Sequence, residues 1–385
     1  MKPWKKRVIN AYFCFARILF GINKKKVVFI SFGGKTYSDN PRAISEALAK
    51  EKIDVEIVWL FINPADKKNI VPNNNRCVDI RSLWRYYKEI ATASVYVNNF
   101  ALPSVPKSKK QMFIQTWHGD KAFKTVLHDS PRRALSNDFF GEQIPGLCNY
   151  AIAGSDYGEM QYRSAFRYKG EVLKCGTPRN DRLILQDAEQ KKQIREKLNC
   201  SQETRILLYA PTLRREASEA KKKMDVKQLN ISQTLSKLEQ RDGCKWICLL
   251  RAHPAMVGVD AGEENSSIMD VSSYEDMADL LLISDMLITD YSSCAGDFAL
   301  TGRPIVLFQA DRQEYLEKDR TFYFNMEDSP YFIAESQEEL ETIISGMTEE
   351  KAKENCKKIL EFYGDCETGH AAETVAKIIK NWIER

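Results

Sequence analysis

The chain has 385 residues, 43% of them hydrophobic and 29% charged, with a formal net charge of +4. That length supports two domains with separate cores, and the composition is that of a globular protein without low-complexity tracts or solenoid repeats. So small a net charge creates no strong whole-molecule field, which argues against nucleic acid as a partner.

Residues 1–25 are basic at both ends and aromatic between. On a helix, Trp4, Val8, Tyr12 and Phe15 share one face with Ile18, Leu19 and Ile22. Arg17 interrupts the apolar run, which is too short to span a bilayer, and no small-residue cleavage site follows it. A basic, aromatic amphipathic helix either lies in the interface of an anionic membrane or packs on the protein's own body; the membrane surface is the favoured reading.

From residue 26 the chain alternates between strand and helix patterns. Strands are predicted at 26–32, 54–61, 94–98, 111–116, 150–153 and 171–175, with helices at 41–50 and 81–93. A charged helix at 189–198 leads to a second set, with strands at 205–209, 245–250, 286–289 and 305–308. Helices at 226–240, 274–282, 294–300 and 338–344 separate these. Short apolar runs alternating with helices imply parallel sheets joined by right-handed crossovers. The expectation is an α/β protein with two doubly wound, Rossmann-type domains, at 26–185 and 186–366, and a cleft between them. A helix within 367–385 follows, expected to pack back on the first domain. Ligands in such sheets bind beyond the carboxyl ends of the strands. The ten cysteines are scattered, with no Cys-x-x-Cys and no zinc spacing, which suits buried free thiols in a reducing compartment.

The most informative segment is 284–302. Met286, Leu287 and Ile288 form a buried-strand run that breaks into Thr289-Asp290-Tyr291-Ser292-Ser293 and resumes at Cys294 with small and apolar residues at helical spacing. A strand that opens a helix through hydroxyl residues suits an anion, because free N–H groups and the macrodipole favour negative charge there. Ser292 and Ser293 can donate to a phosphate, although an ordinary helix cap would account for the segment on its own.

Two of the four histidines also follow strands. His118 comes after the run ending at Thr116-Trp117, and His253 stands in Arg251-Ala252-His253-Pro254. One per domain, at equivalent strand ends, they are candidates for proton transfer or charge stabilisation in the cleft. Gly119 permits close backbone approach beside His118. His128 and His370 have no such setting. Tyr209-Ala210-Pro211-Thr212-Leu213-Arg214-Arg215 and Gly176-Thr177-Pro178-Arg179-Asn180-Asp181 end further strands. Thr212, Arg214, Arg179 and Arg251 are thereby candidate binding residues, Arg215 reads as solvated surface, and Lys121 and Lys124 could meet an anionic substrate. No Walker-type or dinucleotide glycine loop, zinc-hydrolase motif, serine-hydrolase elbow or Asp-x-Asp is present. Phosphate charge is therefore expected to be met by helix termini and cationic side chains, with no metal site, no tightly bound cofactor and at most a loosely held Mg2+ ion.

Gln115-Thr116-Trp117-His118-Gly119, Gly176-Thr177-Pro178-Arg179-Asn180-Asp181, Tyr209-Ala210-Pro211-Thr212, Arg251-Ala252-His253-Pro254 and Thr289-Asp290-Tyr291-Ser292-Ser293 stand in this order, followed by Thr368-Gly369-His370-Ala371-Ala372. As an ordered set, running from about residue 26 to the C-terminus, they resemble the CDP-glycerol glycerophosphotransferase family, the polymerases and primases of teichoic acid. The resemblance implies a GT-B-like pair of domains, the first on the acceptor side and the second holding the CDP donor. It implies transfer of a polyol phosphate, glycerol phosphate above all, from a CDP-polyol to a hydroxyl of a teichoic acid or other cell-envelope glycan, with release of CMP. It implies His118 as general base, His253 acting on the diphosphate, and the Thr289–Ser293 segment, Thr289 and Asp290 included, binding phosphates. It also implies a peripheral place on the cytoplasmic face of the bacterial membrane, and a single activity, since no further catalytic domain precedes the matched region. The family often reads His-Gly-Thr-Pro-Leu-Lys-Lys where this chain has His118-Gly119-Asp120-Lys121-Ala122-Phe123-Lys124, so the acceptor side is expected to differ, with a capsule glycan as open as a teichoic acid primer. A nucleotide-sugar glycosyltransferase of the same fold and a non-catalytic membrane scaffold are the alternatives.

Overall fold

The computed structural model describes residues 3–103, 105–131, 148–212, 229–252, 267–318 and 321–385. Helix α1 (Pro3–Phe20) precedes a first lobe built on β1 (Asn23–Ile30), β2 (Glu56–Phe61), β3 (Arg76–Asp79), β4 (Ala93–Asn98), β5 (Met112–Gln115), β6 (Tyr150–Ala153) and β7 (Glu171–Lys174). Its helices are α2 (Asp39–Lys50), α3 (Leu83–Thr92), α4 (Asp156–Ser164) and α5 (Asp181–Leu185). Helix α6 (Ala188–Lys197) leads into a second lobe with β8 (Arg205–Ala210), β9 (Trp246–Leu250), β10 (Ile268–Asp270), β11 (Met286–Thr289), β12 (Ile305–Phe308) and β13 (Phe332–Ala334). Around that sheet run α7 (Ile231–Asp242), α8 (Met277–Ile283), α9 (Cys294–Phe298), α10 (Arg312–Lys318), α11 (Gln337–Ser345) and α12 (Glu349–Tyr363), and α13 (Ala371–Glu384) closes the chain.

The sheets run β3-β2-β1-β4-β5-β6-β7 and β10-β9-β8-β11-β12-β13, and every paired strand is parallel. Runs such as Val27-Val28-Phe29-Ile30 and Met286-Leu287-Ile288 are buried throughout, as strands covered on both faces by helices must be. Strand order reverses between β1 and β4 in one sheet and between β8 and β11 in the other. Crossovers leave opposite faces at such a point, and a crevice opens at the carboxyl ends of the strands. All ten cysteines are free thiols, five of them buried.

Helix α13 does not stay with the second lobe. Val375, Ala376 and Ile379 pack with Val27, Phe29, Ile44 and Leu48 in the core of the first. Its first turn is capped from that lobe by the Asp181 carboxylate, which accepts from the N–H groups of Ala371 at 2.9 Å and Ala372 at 2.8 Å.

Helix α1 has two apolar faces where the sequence pattern suggested one. Phe13 and Ala16 are fully buried against the first lobe, and Tyr12 donates to the Trp84 carbonyl at 2.9 Å. The other face leaves Trp4, Val8, Phe15, Ile18, Leu19 and Phe20 exposed beside Leu83 and Trp84 of α3, with Ile18 83% accessible. Among the described residues, no helix is long and apolar enough to cross a membrane.

Candidate active site

His118 sits on the turn that leaves β5. Gln115 Oε1 accepts from the Trp117 N–H at 2.8 Å, and Trp117 itself adopts a left-handed φ of 51°. The imidazole packs among Trp117, Phe32 and Phe100, with ring centroids 4.2, 5.2 and 5.9 Å away. His118 Nδ1 lies 2.7 Å from the carbonyl oxygen of Asn99. A carbonyl can only accept, so Nδ1 carries the proton, and in the neutral ring Nε2 is left as the acceptor. Burial holds the imidazole below its ordinary pKa; the Asn99 carbonyl and Asp39 oppose that effect, and Arg179 adds to it. These are the properties of a neutral base.

Across the cleft, β11 ends at Thr289 and the chain turns through Ser292 and Ser293, both half-buried. A Cβ placed on Gly119 would lie 3.9 Å from Ser293 Oγ and 3.3 Å from Trp117 Nε1. The two segments singled out from sequence, one from each lobe, therefore lie side by side, with Ser293 close to the turn that carries His118. Arg251, half-buried at the end of β9, donates to the Tyr274 carbonyl at 2.6 Å and lies within electrostatic reach of Asp276 and Cys294. The half-buried Thr212 offers its N–H to the Asp290 carboxylate at 3.0 Å.

Several predicted binding residues are committed elsewhere. Arg179, 6% exposed, is paired with Asp297 at 2.8 Å and Asp39 at 3.2 Å, so its fork ties the first lobe to α9 of the second. The Thr289 hydroxyl is buried and donates to the Ala210 carbonyl at 2.6 Å. Asp290 is buried, accepts from Thr212 and shapes the turn. Lys121, expected to meet an anionic substrate, is fully buried beside Asp365 at 3.0 Å and Glu367 at 3.5 Å. The Asp120 carboxylate accepts from Gly154 N–H at 2.9 Å and Ser155 Oγ at 2.6 Å. Of the residues that depart from the family pattern after Gly119, Asp120 and Lys121 are thus buried and held by polar partners within the protein. His253 and Arg214 lie outside the described residues.

Sequence reasoning passed over Asp39, Asn40 and Asn99, which surround the His118 turn, and Glu367. Glu367 accepts from Thr177 N–H at 2.7 Å and Asn180 Nδ2 at 3.0 Å, tying the strand-end turn at 176–181 to the closing segment. The one available signal was polar residues clustered at the start of α2 in Ser38-Asp39-Asn40-Pro41, which is also how an ordinary helix begins.

Two parallel sheets facing one cleft, with a histidine turn from one and a hydroxyl turn from the other, define a two-domain α/β transferase of GT-B-like fold. The family model of CDP-glycerol:poly(glycerophosphate) glycerophosphotransferases matches residues 11–381, and the chain belongs to that family. It is 33% identical to a teichoic acid poly(glycerol phosphate) polymerase of Staphylococcus epidermidis over 94% of its length, and spans about half, 51%, of that relative. It is 30% identical to a teichoic acid glycerol-phosphate transferase of Staphylococcus aureus, covering 93% of each chain. The solved wall teichoic acid polymerase TagF superposes with a TM-score of 0.81 at 28% identity, over 100% of this chain and 99% of that one. A putative UDP-N-acetylglucosamine 2-epimerase from Listeria monocytogenes, at 13% identity and a TM-score of 0.51, shares the fold alone.

Proposed function

We propose that this protein transfers glycerol phosphate from CDP-glycerol to a hydroxyl of a membrane-linked teichoic acid or related envelope glycan, releasing CMP. The observation that carries this reading is the closeness of Ser293 to Gly119, the residue after His118, which sets a diphosphate-suited turn beside the turn of a neutral histidine. TagF, similar over the whole chain, has also been solved after soaking with CDPG, which supports CDP-glycerol as donor. The acceptor hydroxyl attacks the β-phosphorus in line while His118 Nε2 takes its proton. The bond from the β-phosphorus to the bridging oxygen breaks, and the electron pair leaves on CMP. Ser292 and Ser293 hold the diphosphate, and Arg251 with His253 meets the charge on the departing nucleotide. Positioning and electrostatics supply most of the rate in such transfers. The first lobe with 26–185 is the acceptor side and the second with 186–366 the donor side.

The exposed apolar face of α1, flanked by Lys5, Lys6, Arg7, Lys24 and Lys25, suits an anionic membrane surface, where a lipid-linked acceptor would be met.

The test is CMP release by the purified protein with CDP-glycerol, CDP-ribitol, UDP-sugars and CMP-sugars, each with a membrane extract as acceptor. CDP-glycerol should be used in preference to the rest, and His118→Ala should lower turnover by about 10²–10⁴-fold while the protein stays folded. Release from a nucleotide sugar alone, from no donor, or undiminished by His118→Ala would refute the reading.

A further inference from the structure

Asp39 and Asn40 open α2, and both are buried, Asn40 completely. Asp39 holds a left-handed φ of 64°, costly for a residue with a side chain and sustained only where its surroundings impose it. Its carboxylate accepts from Asn99 Nδ2 at 3.0 Å and from Arg179 Nη1 at 3.2 Å. Asn99 is the residue whose carbonyl orients His118. Its side chain is clamped at every polar atom, since Oδ1 also accepts from Phe32 N–H at 2.8 Å and Nδ2 also donates to Ser31 Oγ at 3.2 Å. Asn40 Nδ2 donates to the carbonyls of Thr116 at 3.2 Å and Trp117 at 3.1 Å, the two residues before His118, and its Oδ1 accepts from Arg179 N–H at 3.0 Å. Both residues therefore converge on Arg179, which reaches Asp297 of α9, one helical turn beyond Ser293. In the same segment Arg42 is bound to Asp276 at 3.0 Å and Asp279 at 3.1 Å at the start of α8.

We propose that Asp39 and Asn40 are positioning residues for the transfer, Asp39 by holding Asn99 and so the carbonyl that orients His118, Asn40 by holding the left-handed turn that presents it. Arg179 places both in register with the diphosphate turn of the second lobe. The proposal rests on His118 as the general base. Neither residue touches substrate.

The charged groups acting on the imidazole are Asp39, which favours its protonated form, and Arg179, which disfavours it. Asp39→Asn keeps the side chain's shape and its bond from Asn99 but leaves Arg179 less compensated, so His118 should become a weaker base. The acid limb of kcat/KM for CMP release should move to lower pH. Asn40→Ala frees Trp117 and should lower kcat by up to about 100-fold, with the limb and the KM for CDP-glycerol near wild type.

The experiment measures pH profiles of CMP release for wild type, Asp39→Asn, Asn40→Ala and His118→Ala. It adds nitrogen-15 spectra of the folded proteins, in which the four histidines are separated by the loss of one signal in His118→Gln. A shifted limb in Asp39→Asn, a kcat-only loss in Asn40→Ala and a changed His118 titration or tautomer in either would bear the proposal out. If His118→Ala is inactive while both other variants keep the wild-type limb, kcat and His118 signals, the positioning role is refuted and the base stands. If His118→Ala is fully active, both fall. Should Asp39→Asn fail to fold, Asn99→Ala, which removes the side chain that Asp39 holds and spares the ion pair with Arg179, must lower kcat and change the His118 signals, and wild-type kcat with unchanged signals there refutes the proposal.

Discussion

Lys121 of the first lobe lies with its aliphatic stem along Gly296 of the second. A Cβ on Gly296 would meet Lys121 Cβ at 2.6 Å and Cδ at 2.8 Å. The atom first met is the fixed root of the side chain, so it cannot swing aside. Since Lys121 also carries the buried pairs with Asp365 and Glu367, this is where the cleft floor is sealed.

Gly296→Ala should therefore part the lobes. Overpacking of this kind costs about 1–3 kcal/mol, readable as a lower urea midpoint. The KM for CDP-glycerol should rise with it, because Ser293 is drawn away from Gly119. Unchanged stability and unchanged KM would show that the contact yields easily.

His118 gives a second expectation, on stability and not on rate. Its folded pKa lies below that of an unfolded imidazole, about 6.5. The unfolded chain thus takes up a proton that the folded one refuses. Stability from this group is full above about pH 6.5 and is lost as pH falls through that value toward the folded pKa. Urea melts at pH 7.5 and 5.5 should show wild type losing more stability than His118→Gln, and equal losses would contradict it.

Glu367 should show the opposite sign. Burial pushes its carboxyl up to about 7, against the pull of Lys121. The folded state then holds a proton that the unfolded state has already released, and stability from this group falls as pH rises from its ordinary value of 4.5 through 7. Glu367→Gln should gain stability relative to wild type between pH 5 and pH 8, and a constant difference across that range would count against this.

The face of α1 turned to solvent predicts membrane behaviour separable from catalysis. Ile18→Glu combined with Leu19→Glu should weaken binding to phosphatidylglycerol-rich vesicles by at least about tenfold, given the apolar burial each side chain would lose. CMP release with a soluble acceptor should be unaffected. Equal vesicle binding would place the membrane contact elsewhere.

Much of the frame was legible because continuous apolar runs mark buried parallel strands. Tyr150–Ala153, Met286–Thr289 and Ile305–Phe308 begin and end where the sequence pattern puts them. The edge strands Arg76–Asp79 and Ile268–Asp270 were not foreseen, being short and partly polar with only one paired neighbour. Helix α12 was also missed: it is thick with Glu and Lys and buries only Ala352, Asn355, Cys356, Ile359 and Tyr363. At the site, His118 and the two serines could be read as strand-end residues. The buried ion pairs of Arg179 could not be read, because an arginine in a strand-end turn suits a phosphate and a buried carboxylate equally well. The partner, Asp297, stands 118 positions further along the chain.

The return of α13 to the first lobe has a consequence for biosynthesis. The face formed by Val27, Phe29, Ile44 and Leu48 is completed by residues as late as Ile379. On the ribosome, the half made first must wait, with that face uncovered, until the half made last has emerged. A nascent chain halted at residue 366 should bind a chaperone or a hydrophobic dye that the released protein ignores; equal binding would mean the early half closes without its final helix.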